Sequence, residues 1–439
     1  MSTINTVNQR QFSRFYIDVT PEVKEQMLNW ANRFNICCFM DNNAYTKDIH
    51  SYECLVAAGA WKWVNLSSGN AFLRLKAFYE QGQDWLFGHF GFDLKAETES
   101  VPSVLPDHIG FPDCYFFVPE HLILVQGSQV MISSYSADPS TVLRQVLQTQ
   151  IKIKEHMPPV ILKSGMGKEE YIEKVNAIKA HILRGDCYEI NFCQEFFTDH
   201  ALIDPVQAFR SLSEVSPNPF SVFYKLNDLH LLCASPERFL RIENGIVRSQ
   251  PIKGTAPRNI TDPVVDAALA RDLANSEKEK SENVMVVDLV RNDLSRFCKP
   301  GTVEVEELFG IYSFPQVHQM ISTVKGEISD GLNWIDAVQQ SFPMGSMTGA
   351  PKRRVLELIE SFELVRRGIF SGAVGYCTPD GNADFNVVIR SLLYNASSQY
   401  LCCLVGSAIT WYADAEKEYE ECLLKVAAIR HAVGEQAQC

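Results

Sequence analysis

Two tight turns, Pro379-Asp380-Gly381 and Asn395-Ala396-Ser397-Ser398, divide a strand-rich stretch at residues 368–411. Turns this short leave no room for the dozen or more residues that a parallel crossover requires, so the strands they join are antiparallel. The same arrangement occurs earlier, where Gly127-Ser128 separates two apolar runs at 121–126 and 129–134 and predicts a hairpin. Helical signals lie elsewhere. Tyr171, Ile172, Val175, Ile178 and Ile182 recur at helical spacing over 168–184 and stop at Gly185-Asp186. Ser276-Glu277-Lys278-Glu279 fits a capping box opening a helix to about Arg296, and Asp414 can cap a helix running to about Val433. Segregated helices and antiparallel strands predict an α+β fold.

A chain of 439 residues, 46% of them hydrophobic, can bury a large core as one big domain or two smaller ones. A connector around 148–166 carrying Pro158-Pro159 divides an N-terminal region, 1–150, from a second region, 160–435. The thirteen cysteines include the adjacent pairs Cys37-Cys38 and Cys402-Cys403 but no Cys-x-x-Cys, which predicts reduced, buried thiols. The polar start Met1-Ser2-Thr3-Ile4-Asn5 lacks the order of a secretory signal. No apolar run reaches the ~18 residues of a membrane span. These features predict a cytoplasmic protein. A net charge of −13 argues against nucleic acid or an anionic membrane as partner. It also requires any anionic substrate to be drawn in by local cations or a metal.

Candidate chemistry clusters in a few segments. Lys253 lies between Pro251-Ile252 and Gly254, a frame that fits a held nucleophilic amine as well as it fits a surface turn. A lysine nucleophile must be deprotonated, which calls for desolvation and neighbouring cations that pull its pKa from about 10.4 toward about 7–8. Glu279 and Glu282, and likewise Glu418 and Glu421, stand three apart on predicted helices, so each pair shares one helix face. Four convergent carboxylates suit Mg²⁺, whereas either pair alone is equally a cap or a solvated face. Gly345-Ser346-Met347-Thr348-Gly349-Ala350-Pro351-Lys352 is a glycine-rich turn before a helix, either a plain turn or an anion cradle. Its order is not that of a P-loop. Arg390 alternates with Asn386 along a predicted strand and needs an anionic partner. Lys425 continues the face of Glu418 and Glu421. Glu237, in a Ser-Pro-Glu turn, is a candidate proton donor, and His318 reads first as a hydrogen-bonded core residue.

As a set, residues 251–258, 285–294, 345–352, 367–376 and 385–390 resemble, in order, the motifs of chorismate-utilising enzymes. That family includes anthranilate, aminodeoxychorismate, isochorismate and salicylate synthases. The resemblance covers about 165–430, and the segments 39–43 and 88–95 are more weakly similar. It implies a core of large antiparallel sheets packed together with helices outside, shared by both sequence regions, with an N-terminal region that binds tryptophan in some relatives. Pro251-Ile252-Lys253-Gly254-Thr255 resembles aminodeoxychorismate synthases, since anthranilate synthases carry alanine in place of the lysine. Asn283 points the same way. Glu189 stands where isochorismate synthases carry a water-activating lysine and where glutamine is common, so it counts against that activity. Anthranilate synthase is the alternative.

The resemblance further implies Mg²⁺ held by Glu279, Glu282, Glu418 and Glu421 against the ring carboxylate of chorismate. Arg390, Lys425 and amides near Gly406 would take the enolpyruvyl carboxylate. Lys253 would be the nucleophile and Glu237 the acid, with Thr348, His318, Thr255 and Tyr376 around the substrate. No glutaminase segment is evident, so the expected partner is a glutamine amidotransferase subunit supplying ammonia. No lyase segment is evident either, which leaves aromatisation to another enzyme.

Overall fold

The computed structural model describes residues 10–45, 51–151 and 160–435. The Pro158-Pro159 part of the predicted connector lies outside them. Every strand pairing among the described residues is antiparallel, as the short turns require.

The sheet has two wings that part at one long strand, Cys114–Gln126. Its first half pairs with Leu86–Phe90 and its second half with Gln129–Ser134. The first wing runs through Cys54–Leu66, Ile36–Asp41, Phe220–Leu226, Leu229–Ser235, Ser391–Asn395 and Tyr400–Ile409 to Glu189–Thr198. The second runs from Leu86–Phe90 through Ala373–Cys377, Ala383–Asn386, Arg238–Glu243 and Ile246–Gln250 to Val317–Glu327, which also carries Ile252–Pro257 and Glu304–Ser313. Strands from before and after residue 150 thus interleave in both wings.

Two apolar cores follow from the period-2 alternation of the strands. Cys38 and Cys402 face the core between the wings, while Cys37 and Cys403 face the outer core. That outer core is covered by helices Pro21–Ala31, Lys168–Leu183, Pro205–Val215, Lys352–Phe362 and Ala415–Ala432. The adjacent cysteine pairs are therefore ordinary strand residues pointing opposite ways, and every described cysteine is a buried free thiol. No described helix is long and apolar enough to cross a membrane.

One strand ends earlier than its alternation suggests. The strand holding Asn386 covers only Ala383–Asn386, and Arg390 lies outside it with φ of 50°. Residues 387–390 carry the chain from the second wing, where Ala383–Asn386 pairs with Arg238–Glu243, to the first, where Ser391–Asn395 pairs with Leu229–Ser235. Val387 and Val388 are fully buried at this crossing, so their alternation reflects a buried link and not a ladder.

Candidate active site

Lys253 is aimed by a bulge. Ile252 pairs with Ile321 and Thr255 with Gln319, which leaves one residue too many on the Lys253 side. Gly254 takes up the kink at φ +94°, and a Cβ there would sit 3.1 Å from the Glu279 carboxylate. The Lys253 side chain, 11% exposed, reaches Glu189 Oε1 at 2.6 Å. Glu189 begins the Glu189–Thr198 strand at the far end of the other wing. The pair therefore closes the seam between the two wings.

Glu189 is held by its own neighbours. Thr348–Ala350 lies along Glu189–Asn191, with Tyr188 N donating to Ala350 O at 2.8 Å and Asn191 N to Thr348 O at 2.7 Å. This close approach needs Gly349, at φ +144°, where a Cβ would come within 2.0 Å of Glu189 O. The glycine-rich turn thus fastens the Glu189 strand. Thr348 is fully buried with its hydroxyl donating to Met344 O and Gly345 O. Pro351 is the N-cap of the following helix, and Lys352 forms a buried ion pair with Asp293 at 2.8 Å, tying the turn to helix Glu277–Ser295. A second buried pair, Arg367 with Glu363 at 2.5 Å, donates to Met347 O and Asn191 O and locks the same turn from behind.

Glu237 sits between strands Leu229–Ser235 and Arg238–Glu243, 5% exposed. Burial raises its carboxyl to about 7, against a hydrogen bond from Ser346 and the charges of Lys253 and Arg390. The adjacent Arg238 grips Asp384 with two bonds at 2.8 and 2.9 Å, which holds this turn in place. Arg390 is largely desolvated, which lowers its pKa against the opposing pull of Glu237. Its left-handed backbone points it into the same cluster. Burial opposes charge on Lys253 too, but Glu189, Glu282 and Glu237 together raise its pKa. The expected depression toward neutrality is thus reversed, because the neighbours of Lys253 are mainly carboxylates and not cations.

The acidic pairs come one from each wing. Ser276 accepts from Glu279 N at 3.4 Å as the N-cap, but the reciprocal half of the predicted capping box is not formed, so the Glu279 carboxylate turns toward Gly254. Burial raises the Glu282 carboxyl, with Glu279 and Glu189 adding to the rise. On helix Ala415–Ala432, burial and then Glu421 raise Glu418, which also takes a hydrogen bond from Ser407. Lys278 is the cation common to both, 3.8 Å from Glu282 and in electrostatic reach of Glu418. Among the described residues, no three His, Cys, Asp or Glu side chains converge to hold a metal as they stand. The donor set nonetheless fits a hard divalent cation: two oxygen-only pairs, each with a carboxyl that burial and a neighbouring acid push up, around one shared ammonium. Lys425 binds Glu421 Oε1 and Gly406 O, both at 2.7 Å. Gly406 packs so tightly on Asn191 and Cys193 that a Cβ would fall within 2.5 Å of both.

Three other candidates are placed differently from the expectation that they surround a substrate. His318 is buried with both ring nitrogens engaged, by Ser313 at 2.9 Å and Asp266 at 3.0 Å, which makes it a core histidine on the back of the Lys253 strand. Tyr376 packs against Tyr52, Trp85 and Phe87 and lines a separate cavity of about 50 Å³ with Asp41, Asn42 and Phe220. Thr255 is exposed on the strand beyond the bulge. Conversely, spacing did not single out Ser346 or Lys278. Asn283 is buried, donating to Met320 O and accepting from Ser322 Oγ at 2.6 Å, which pins the helix of Glu279 and Glu282 to the strand beneath Lys253.

A two-winged antiparallel fold with carboxylates, lysines and an arginine meeting at its seam defines a class, and comparison with known proteins agrees. The chorismate binding enzyme family matches residues 37–431, and the chain belongs to that family. Within it, the chain is 37% identical to aminodeoxychorismate synthase component 1 of Klebsiella aerogenes, over 78% of this chain and 76% of that protein. It is 32% identical to anthranilate synthase component 1 of Acetivibrio thermocellus, over 80% and 75%. Among solved structures, anthranilate synthase component I of Streptococcus pneumoniae superposes with a TM-score of 0.75 at 25% identity, covering 88% of this chain and 94% of that one. The menaquinone-specific isochorismate synthase of Escherichia coli shares the fold, with a TM-score of 0.73 over 97% and 95% at 16% identity.

Proposed function

We propose that this chain is the chorismate-binding component of an aminodeoxychorismate synthase, aminating chorismate at C4 to 4-amino-4-deoxychorismate. The observation that carries the reading is the pairing of a held, nearly buried lysine with a separate buried carboxyl near neutrality: Lys253 as nucleophile and Glu237 as acid. Three relatives described as aminodeoxychorismate synthase component 1, at 35–37% identity, support it.

In this reading, Arg390 is the bidentate partner of the enolpyruvyl carboxylate. Its guanidinium is desolvated, a cost that Glu237 opposes and that an arriving anion would offset further. Lys425 and the backbone near Gly406 border the same space. Lys253 forms a bond to ring carbon C2 while Glu237 delivers its proton to the departing 4-hydroxyl. Ammonia then adds at C4 and the lysine is released. Glu279, Glu282, Glu418 and Glu421 would hold Mg²⁺, which when bound supplies positive charge for the ring carboxylate and for the crowded acids. Ammonia would come from a glutamine amidotransferase partner, and the product would feed 4-aminobenzoate formation in folate biosynthesis.

Incubation with chorismate, Mg²⁺ and an ammonium salt tests this. We expect a covalent adduct in the intact mass of the wild type, none on Lys253→Ala, and a product that becomes aromatic only when a lyase is added. Release of fluorescent anthranilate and pyruvate without a lyase would instead identify an anthranilate synthase, and absence of any turnover would refute both.

A further inference from the structure

Lys253 cannot attack as it stands. Its ammonium is paired with the Glu189 carboxylate at 2.6 Å, and a protonated amine has no lone pair. The proton must leave within the reaction, to a group already in contact. Three carboxylates surround Lys253: Glu189 on the opposing strand, Glu282 on helix Glu277–Ser295 and Glu237 at the turn between strands. Glu237 is the acid for the leaving hydroxyl, and Glu282 sits with Glu279 and Lys278. Glu189 is the one in direct contact, with Oε1 2.6 Å from Nζ, and its strand is clamped by the Thr348–Ala350 backbone.

We propose that Glu189 is a catalytic residue, the base that takes the proton of Lys253 for attack and the acid that returns it on release. The inference deepens the lysine-nucleophile reading and rests on it. Both side chains are nearly buried, at 11% and 6% exposure.

The step balances as follows. Lys253 passes a proton to the Glu189 carboxylate, and its lone pair forms the N–C2 bond. The two ring double bonds each move one carbon toward C4, the C4–O bond breaks, and the hydroxyl leaves as water with the proton of Glu237. Ammonia then bonds to C4, the double bonds move back and the C2–N bond breaks. The freed amine regains its proton from Glu189, and the extra proton of the new ammonium goes to Glu237.

Glu189→Gln distinguishes this role from that of a mere counter-ion, because the two predict opposite signs. A counter-ion only raises the pKa of the lysine, so its removal would free the amine and speed turnover at pH 7. A base removed should lower kcat about 100-fold or more, with KM for chorismate little changed. The ratio of variant to wild-type kcat, in which the titration of Glu237 cancels, should climb about tenfold per pH unit toward the ordinary lysine range near 10.4. Glu189→Asp, which keeps a carboxylate at a longer reach, should retain part of the activity without that climb, and it provides a second reading should Gln disturb folding. Ammonia-dependent kcat of Glu189→Gln at or above wild type at pH 7, with an adduct still seen on wild-type Lys253, would overturn the role of Glu189 alone. No adduct on the wild type, with Lys253→Ala still active, would overturn the nucleophile reading itself.

Discussion

Replacing Glu237 with glutamine should make this protein more stable and inactive at once. Burial raises the carboxyl from 4.5 to about 7. A group whose folded pKa lies above its unfolded value costs stability once it must ionise in place. Below about pH 4.5 it is neutral in both states and costs nothing. Between about 4.5 and 7 the folded protein binds more protons than the unfolded chain, so stability falls as pH rises, and above about 7 the loss is complete. Raising a carboxyl this far corresponds to about 3 kcal/mol. Glu237→Gln keeps the shape and the contact with Ser346 but has no charge to desolvate. The variant and wild type should therefore differ little in this contribution at pH 4.5, and the variant should gain about 3 kcal/mol relative to wild type by pH 8. Urea unfolding of both proteins at a series of pH values, without substrate, reads the difference directly. A wild-type-to-variant gap that is flat from pH 4.5 to 8 would refute the argument, because it would mean that Glu237 ionises in the fold as freely as in water.

The same carboxyl should appear in catalysis: kcat should fall about tenfold per pH unit above about 7, as the acid loses its proton, and a rate flat to pH 9 would exclude it. Arg390→Ala should raise KM for chorismate by about 10- to 100-fold, in line with loss of a charged hydrogen-bonded contact worth about 1.5–3 kcal/mol, while leaving the unfolding midpoint near wild type, as steady-state kinetics and a melt will show. Chelation should remove activity and Mg²⁺ restore it, and Glu418→Gln should require more Mg²⁺ for half-maximal rate, measured by titration. Asp293→Asn should destabilise by about 3–5 kcal/mol, since it strands Lys352 in a buried site; an unchanged urea midpoint would contradict the buried pair.

Much of the fold was legible because its signals are local. Turn length dictated antiparallel pairing, and Gly127-Ser128 and Asp414 act where turn and cap chemistry put them. Acids three apart on a helix must share a face, so the Glu279–Glu282 and Glu418–Glu421 pairs were visible before any coordinates. Arg390 misled for an equally local reason. Buried linkers and buried strands both read as apolar alternation, and only the crossing from one wing to the other separates them. His318 is the hydrogen-bonded core residue that its strand suggests, whereas the resemblance set it and Tyr376 around a substrate; their partners arrive from helix Pro263–Asn275 and from the N-terminal region, which spacing does not bring near.

The linear chain determined by itself the antiparallel class, the helix faces that carry acid pairs, and the motifs that place it among chorismate-binding enzymes. Tertiary structure alone decided that Glu189 meets Lys253, that carboxylates raise the pKa of that lysine, and that burial brings Glu237 near neutrality. The division has a physical cause: hydrogen-bond spacing and side-chain periodicity act over a few residues, whereas a pKa is set by desolvation and by charges that folding brings in from other elements, Glu189 reaching Lys253 from 64 positions away.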